Sequence, residues 1–164
     1  YRPTKLSDDY CGVSPVLSHA ILWLENKSYE IENVCCVYPT SVFLNKKDLI
    51  KGFDILTAGG WSYVFSATKF SYPIFRSFKK RGKAGVEMLF PEYYDSRSQD
   101  LPNAYHDAAQ FYWAKPATWK KEEKIFDKNS FPIIIPNWRV QDIDEEQDFK
   151  RAELLFKFLK KIDN

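Results

Sequence analysis

Two carboxylates separated by a single residue are the part of the sequence best suited to chemistry. Asp142 and Asp144 follow the apolar residues 133–135 and come just before a helix-like segment. In an extended backbone alternate side chains point the same way, so both carboxylates would face one cleft while Ile143 turns toward the core. Mg²⁺ is usually held by one or two carboxylates together with substrate phosphates. The spacing therefore predicts Asp142 and Asp144 as catalytic residues that bind a magnesium ion.

A second interpretation of the same residues is structural. Asp144 is followed by Glu145, Glu146 and Gln147, and this order is also typical of a helix start. Asp144 would be the N-cap, acids would occupy the first turn, and the glutamine would stand at the capping-box position. In that case the acids stabilise a helix and bind no metal, so these residues alone leave both roles open.

The elements that must position the acids alternate between helix and strand. Ser14 followed by Pro15 predicts a helix start with a capping hydroxyl, and Asn45 and Gly59 predict the two ends of a second helix. Residues 33–38 form a continuous apolar run, as expected of a buried parallel strand. Further predictions are strands over residues 61–70 and around residue 133, a short helix near residue 118 and a final helix over residues 145–162. This order predicts an α/β domain with a largely parallel sheet.

A predicted hairpin interrupts this alternation. Two strand-like stretches, residues 74–78 and 85–90, flank the basic residues 79–83, which is typical of a hairpin with a charged tip. A hairpin inserted into an α/β sheet can project as an arm, and exposed aromatic arms commonly mediate dimers. We therefore predict that residues 72–100 form an arm that joins two copies of the chain in a homodimer.

The composition is that of one ordinary globular domain. The 164 residues are 45% hydrophobic and 17% aromatic, which is enough for one core. The net charge of +2 is too balanced to indicate a nucleic-acid partner, and no apolar run approaches the ~20 residues of a membrane span. The three cysteines are odd in number and are interpreted as reduced thiols. With no signal peptide in the sequence, we expect a cytoplasmic protein.

Several short strings are distinctive when they are taken together. They are Arg2-Pro3 with Leu6-Ser7-Asp8-Asp9, then Cys35-Cys36-Val37-Tyr38, then Arg97-Ser98-Gln99-Asp100-Leu101 with Tyr105-His106-Asp107-Ala108, and finally Val140-Gln141-Asp142-Ile143-Asp144. In order and spacing these strings resemble those of the pseudaminic acid cytidylyltransferases, within the wider group of enzymes that activate acidic nine-carbon sugars. The resemblance extends from Arg2 to the final helix.

The resemblance implies a Rossmann-like nucleotidyltransferase fold and a reaction on CTP. The anomeric hydroxyl of the sugar attacks the α-phosphate, pyrophosphate leaves and a CMP-sugar forms, with Mg²⁺ stabilising the charge on the phosphates. It also implies a place in surface-glycan or flagellin glycosylation. Sister enzymes that use N-acylneuraminate or a 3-deoxy-octulosonate are the nearest alternatives. A non-catalytic dimerising fragment is the alternative from another class.

The resemblance further implies roles for particular residues. Asp142 and Asp144 match the family's metal carboxylates, and Arg2 and Ser14 match positions near the nucleotide. The positions on the sugar side are matched by Tyr38, Thr40, Ser41, Arg97, Gln99, His106, Asp107 and Tyr112. Among these, Arg97 could pair with the substrate carboxylate through two parallel hydrogen bonds. No catalytic role is assigned to His106 or Asp107.

One feature of the family has no counterpart in this sequence. The family opens with a glycine-rich and basic loop after its first strand, and the loop holds the triphosphate through backbone amides and basic side chains. Here the glycine-bearing basic residues 80–83 lie in the predicted hairpin instead. We therefore expect the first βα units to be missing from this sequence, and we expect the 164-residue chain alone to be inactive.

Overall fold

Helices and strands alternate along the chain around one mixed sheet. The computed structural model describes residues 1–162. The elements are α1 (Val13–Glu25), β1 (Val34–Val37), α2 (Lys46–Ala58), β2 (Tyr63–Lys69), β3 (Phe78–Lys80), β4 (Val86–Met88), β5 (Tyr105–Ala114), α3 (Pro116–Lys120), β6 (Ser130–Ile134) and α4 (Glu146–Ile162). Short 3₁₀ turns connect several of them.

Among the described residues, four strands form the main sheet in the order β1-β5-β2-β6. β2 pairs in parallel with β6, whereas β5 lies between β1 and β2 and is antiparallel to both. β1, β2 and β6 therefore run in one direction, which confirms the α/β class and the prevailing strand direction. β5 is the exception because the chain re-enters the sheet at the end where it left. Phe70 N–H donates to Ala104 C=O (3.1 Å) and Lys69 pairs with Tyr105, so β5 must run back.

Helices cover both faces of this sheet. On one face, α1 and α3 pack against a cluster that comprises Ile21, Cys36, Tyr63, Phe65, Ala67, Tyr112, Ala114 and Trp119. On the other face, α2 contributes to a cluster that comprises Leu56, Val64, Ala108, Phe111, Ile133 and Ile135. The rings of Tyr63 and Trp119 meet edge to face with their centroids 5.0 Å apart. Because Trp119 is fully buried, truncating it to alanine should cost about 3–5 kcal/mol of stability.

The local sequence determines both ends of α2. The side-chain oxygen of Asn45 accepts a hydrogen bond from Lys47 N–H (2.8 Å), as an N-cap residue does. Gly59 follows the last helical residue with φ of +90°, a conformation that side-chain-bearing residues rarely adopt. Both predicted ends are thereby confirmed. Within the helix, a Cβ on Gly52 would lie 2.9 Å from Cδ1 of Trp113, so only glycine lets α2 lie this close to β5.

The start of α1 differs from the prediction. The helix begins at Val13 after Gly12, and no side chain caps it, so the prediction of Ser14 as the capping hydroxyl is wrong. Pro15 is tolerated at the third helical position because the first amides of a helix have no intrahelical partner in any case. Ser14 itself lies within the first turn of α1.

The hairpin is confirmed, but its strands are shorter than predicted. β3 and β4 form a separate two-stranded antiparallel sheet. Residues Ile74–Arg76 form a 3₁₀ turn rather than a strand, so Lys79 and Lys80 lie within β3 instead of at the tip. Glu87 on β4 pairs with Lys79 (3.4 Å) and with Arg81, which holds the two strands in register.

The segment that carries the two candidate metal ligands does not follow β6 directly. The strand ends at Ile134, and Asn137–Arg139 form a 3₁₀ turn before the chain reaches α4. Pro136 has no N–H with which to extend the strand pairing. In α4, Ala152 is buried while Phe149 and Phe158 are exposed. Within residues 1–162, no helix is both long and apolar enough to cross a membrane.

Candidate functional site

The sheet brings the ends of all its strands together at one side. β1, β2 and β6 end there, and β5 begins there because it runs the other way. We call this side, where Val37, Lys69 and Ile134 end their strands and Tyr105 begins β5, the site edge. In open α/β sheets, ligands bind in the crevice outside the carboxyl ends of the strands. A ligand is therefore expected to bind at the site edge.

A wide bulge in β5 shapes the site edge. Phe65 pairs with Tyr112 and Ala67 pairs with Asp107, so only Ser66 on β2 faces residues 108–111 on β5. Ser66 Oγ accepts hydrogen bonds from Gln110 N–H (3.1 Å) and Phe111 N–H (3.2 Å), which satisfies two buried amides of the bulge. Bulges commonly redirect side chains next to functional sites.

The bulge also contains a non-glycine residue in the left-handed region. Ala109 has φ of +50°, a conformation that is uncommon for residues with a side chain. Two contacts stabilise it: Asp107 Oδ1 accepts from Ala109 N–H (2.9 Å), and Ser41 Oγ donates to Gln110 C=O (2.8 Å). Ser41, predicted on the sugar side, therefore fixes the backbone of the bulge.

Two tyrosines and one aspartate lie together beside the bulge. Tyr112 donates its hydroxyl proton to Asp107 Oδ2, and the Tyr112 ring lies against Tyr38, with ring centroids 5.2 Å apart. Burial raises the pKa of Tyr112, and the hydrogen bond to Asp107 and its charge add to that effect. Burial also raises the pKa of Tyr38, with smaller contributions from the charges of Asp107 and Asp142. Both hydroxyls therefore remain protonated at neutral pH.

The charge of one candidate metal ligand, Asp142, contributes to the raised pKa of Tyr38. Asp142 and Asp144 are exposed while Ile143 is half-buried, as the alternating pattern predicted. Within residues 1–162, no third His, Cys, Asp or Glu joins them in a metal-binding group. Two carboxylates with open positions suit Mg²⁺, whose remaining ligands are commonly water and substrate phosphate.

The start of α4 shows which side chain accepts hydrogen bonds from its first free amides. The Asp148 carboxylate accepts hydrogen bonds from Asp144 N–H (3.3 Å) and Glu145 N–H (3.2 Å). A residue at this position, three after the N-cap, closes a capping box from the helix side. The interpretation in which Asp144 is the cap and Gln147 closes the box is therefore wrong in its residues, because Asp148 performs that function.

The remaining sugar-side residues lie around the site edge in different ways. Thr40 is half-buried in the turn after β1. His106 is exposed, and its Nδ1 lies 2.8 Å from the Asp107 carbonyl oxygen while its ring contacts Phe70. Arg97 is paired with Asp100 (2.6 Å) in the exposed polar loop that also carries Gln99. A substrate carboxylate would have to compete with Asp100 for this guanidinium.

Two residues predicted to bind substrate, Tyr112 and Arg2, are not exposed at the site edge. Tyr112 is only 1% exposed, so its contacts with Asp107 and Tyr38 are its link to the site edge. Arg2 donates from Nε to Ser7 Oγ (3.1 Å) and lines a groove on the outer side of α1 with His19. The nucleotide role of Arg2 and the direct sugar contact of Tyr112 stay predictions.

An apolar cleft adjoins Asp107 on the face of the sheet that α3 only partly covers. Its volume is about 640 Å³. Its walls and rim are formed by Phe65, Ala67, Tyr105, His106, Asp107, Phe126, Phe131, Pro132 and Ile134. The rim thus offers one imidazole and one carboxylate beside a largely hydrocarbon wall, an arrangement suited to a ligand with both polar and apolar groups.

Comparison with known proteins agrees with the resemblance found in the sequence. No protein-family model matches the chain. The chain is 38% identical over 156 residues to the pseudaminic acid cytidylyltransferase of Campylobacter jejuni serotype O:2, which covers 95% of this chain and 67% of that protein. The chain belongs to the pseudaminic acid cytidylyltransferase family. The enzyme of the same name from serotype O:23/36 is 37% identical over the same length.

A third member of the family is part of a larger protein. The Helicobacter pylori pseudaminic acid cytidylyltransferase and UDP-2,4-diacetamido-2,4,6-trideoxy-beta-L-altropyranose hydrolase is 35% identical over 153 residues, which covers 93% of this chain and 29% of that protein. The chain spans about two-thirds of the length of the Campylobacter relatives. Membership of the family confirms the resemblance, and the roles of individual residues stay predictions.

Several residues at the site edge of this family member were not predicted. Ser66 and Gln110 hold the bulge, and Asp48 forms a partly buried ion pair with Arg139, three residues before Asp142. Ser66 and Gln110 interrupt otherwise apolar strands. This pattern indicates a structural role, because buried polar side chains usually have a specific hydrogen-bond partner. The pairing of Arg139 with Asp48 has no signal in the local sequence.

Proposed function

We propose that this chain forms the sugar-binding and metal-binding part of an enzyme that transfers CMP from CTP to pseudaminic acid. The observation that carries the proposal is the 38% identity over 95% of the chain to an enzyme of that name. The site edge supports it, because the segment with Asp142 and Asp144 follows β6, and a polar-rimmed apolar cleft opens beside the end of that strand. We expect the reaction in the cytoplasm, since Cys11, Cys35 and Cys36 are free thiols, which suit a reducing compartment.

In this proposal Asp142 and Asp144 hold Mg²⁺, which when bound neutralises charge on the phosphates of CTP. The anomeric oxygen of the sugar forms a bond to the α-phosphorus, the bond from the α-phosphorus to the bridging oxygen breaks, and pyrophosphate leaves with that electron pair. The hydroxyl proton passes to solvent or to a nearby base. Tyr38 remains protonated because burial raises its pKa, so its hydroxyl can donate a hydrogen bond to an anionic substrate.

The sugar is expected to bind along the other side of the site edge. His106 and Asp107 at the rim of the cleft can bond its hydroxyl and amide groups. Phe126 and Ile134 give the cleft an apolar wall that suits the acyl and methyl groups of a deoxy, acylamino sugar. Arg97 in the polar loop is the expected partner of the sugar carboxylate.

We also include a homodimer in the proposal. The segment of residues 72–100 carries the separate β3–β4 sheet, and Tyr72, Phe78 and Tyr94 on it are strongly exposed. A rim of exposed aromatic side chains on a projecting hairpin is suited to contact with a second copy. Such a contact would bring Lys79 or Arg97 close to the partner's sugar site.

A pyrophosphate-release assay tests the proposed function in the complete protein that contains this chain. We expect Mg²⁺-dependent release with CTP and pseudaminic acid, and slow or no release with N-acetylneuraminate or 3-deoxy-octulosonate. Mass spectrometry of the product should give the CMP ester of the sugar. Equal or faster turnover of another acidic sugar would reassign the substrate, and no turnover with any of the three would refute the proposed activity.

A further inference from the structure

A partly buried ion pair lies at the start of the segment that carries the acids. Arg139 Nη2 donates to Asp48 Oδ2, and the two side chains are only 15% and 21% exposed. Asp48 is in the first turn of α2, and Arg139 ends the 3₁₀ turn after β6. The pair therefore joins α2 to a point three residues before Asp142.

A second contact holds the same point from the bulge. Gln110, which is 3% exposed, donates from Nε2 to the Arg139 carbonyl oxygen (2.7 Å). The carbonyl of Gln110 in turn accepts from Ser41 Oγ (2.8 Å) and from Tyr38 N–H (3.2 Å). Arg139 is thus connected through one glutamine to the backbone at the end of β1, next to the Tyr38 side chain.

The chain beyond Arg139 is held at its other end as well. Asp148 accepts from the backbone amides of Asp144 and Glu145, and Gln141 Nε2 donates to Asp148 Oδ1 (3.3 Å). Five residues of chain span at most about 18 Å, and the Gln141 side chain adds a further contact between Arg139 and Asp144, so these contacts restrict the backbone between them. Both carboxylates of the candidate metal site are in or beside this short segment.

We propose that Asp48, Arg139 and Gln110 are positioning residues for the metal site, an inference that rests on the proposed function. We call these three residues the Arg139 network. Their contacts hold the chain in front of Asp142 and Asp144 before the metal and CTP arrive. Polar groups behind a metal ligand commonly orient it in this way, and their loss typically lowers metal affinity or activity by about 10–100-fold.

The core on this face of the sheet does not depend on the Arg139 network. Leu56 of α2 packs with Val64, Phe111 and Ile133 in the apolar cluster, and Gly52 lets the helix lie close to Trp113. These contacts hold α2 on the sheet without the ion pair. The network therefore adds a connection whose main effect falls on residues 140–145.

The test compares substitutions in the Arg139 network with a matched ion pair elsewhere. Arg139→Met combined with Asp48→Asn removes the pair without leaving a lone buried charge, and Gln110→Met removes the second contact. Arg139→Lys is the conservative variant. Glu25→Gln is the control, because Glu25 pairs with Lys120 (2.8 Å) between α1 and α3 at 34% and 33% exposure, away from the acids.

Two measurements in the complete protein give separate results. The first is the Mg²⁺ concentration for half-maximal pyrophosphate release, together with kcat at saturating Mg²⁺. The second is the affinity for Mn²⁺, measured by electron paramagnetic resonance without substrate. We expect both metal constants to weaken about 10-fold in the double variant and in Gln110→Met, with kcat at saturating metal changed less than twofold. Arg139→Lys should recover most of the affinity, and Glu25→Gln should match the wild type.

Other outcomes overturn the proposal. Metal constants in Gln110→Met equal to those of the Glu25→Gln control would show that the network does not position the acids. A loss of kcat with unchanged metal constants would mean that the residues only support the fold. If the wild type releases no pyrophosphate, the proposed function fails, and the Mn²⁺ affinities of folded variants still decide the positioning role. No Mn²⁺ binding by the wild type would refute the metal site itself.

Discussion

The Tyr112 hydroxyl donates to the carboxylate of Asp107, which lies five residues earlier in the same strand. In a regular strand, residues five apart point to opposite faces of the sheet. Here the bulge at residues 108–111 turns both side chains to one face, where Asp107 meets the buried Tyr112 and lies at the rim of the cleft. The carboxylate is therefore oriented by the core while it remains open to a ligand.

Replacing Tyr112 by Phe should weaken sugar binding and the fold together. The change removes a hydrogen bond to a charged group, worth about 1.5–3 kcal/mol, and frees Asp107 to rotate. We expect a several-fold higher KM for the sugar and an unchanged KM for CTP. Steady-state kinetics and urea denaturation provide the measurements. Tyr10→Phe is the control, since Tyr10 is exposed, and equal sugar KM values for the two variants would contradict the expected role of Asp107.

Replacing Asp142 by Asn should lower metal-dependent turnover by about 100-fold, because an electrostatic stabiliser of the transition state is lost. The fold should be unaffected, since Asp142 is exposed. Glu146→Gln removes a carboxylate from the same part of the sequence, where Glu146 pairs with exposed Lys150, and it should retain wild-type turnover. Near-normal turnover of Asp142→Asn at limiting Mg²⁺ would contradict the assignment of this residue as a metal ligand.

Replacing Ser66 by Ala should disturb the bulge and with it the sugar site. The change leaves the buried amides of Gln110 and Phe111 without their acceptor, at about 1–3 kcal/mol for each. Thr68→Val is the matched control because it removes a buried hydrogen bond from the same strand, to Ile135 C=O (2.9 Å). Both variants should lose stability in denaturation experiments. Only Ser66→Ala should raise the KM for the sugar.

Placing charges on the arm should dissociate the proposed homodimer. Tyr72 and Tyr94 are strongly exposed, and a buried unpaired glutamate at a contact is strongly unfavourable. We expect Tyr72→Glu with Tyr94→Glu to raise the dimer dissociation constant at least about 10-fold, measured by light scattering after size exclusion. Phe149→Glu introduces the same charge on exposed α4 and should leave the dimer intact. A fully active, strictly monomeric wild type would rule the dimer out.

Stability should fall at alkaline pH through buried thiols and a buried phenol. Burial raises the pKa of Cys36 from 9.0 to about 11 and that of Cys35 to about 12, and it raises the pKa of Tyr63 from 10.0 to about 12. The folded state then keeps protons that the unfolded chain has lost, so the free energy of unfolding declines from about pH 9 upward. Urea denaturation between pH 7 and 11 measures the decline. Cys36→Val should make it shallower, and an identical slope would contradict the account.

The sequence could predict those parts of the fold that depend on neighbouring residues. Asn45 and Gly59 place the ends of α2 because cap chemistry acts within one turn. The alternation of Asp142, Ile143 and Asp144 likewise gives the two exposed acids and the inward isoleucine. Family strings led to the same site edge, although the roles of their residues stay predictions.

The features that the sequence did not predict depend mostly on residues far apart in the chain. The direction of β5 follows from where residues 70–104 return the chain, and no local pattern records that return. The bulge depends on Ser66, which bonds amides 44 and 45 residues away. The ion pair of Asp48 and Arg139 joins residues 91 positions apart. The capping-box role of Asp148 instead of Gln147 was missed because α4 begins one residue further along than predicted.

The direction of β5 has a mechanical consequence for the arm. The chain leaves the sheet at Lys69 and returns at Tyr105, two residues that pair with each other, so both ends of the arm are anchored at a single rung of the ladder. His106 occupies the next rung, opposite Thr68. A pull or twist on the arm is therefore delivered directly to His106 and Asp107 and does not have to cross the packed core. A partner that binds the arm would therefore also constrain one wall of the proposed sugar site.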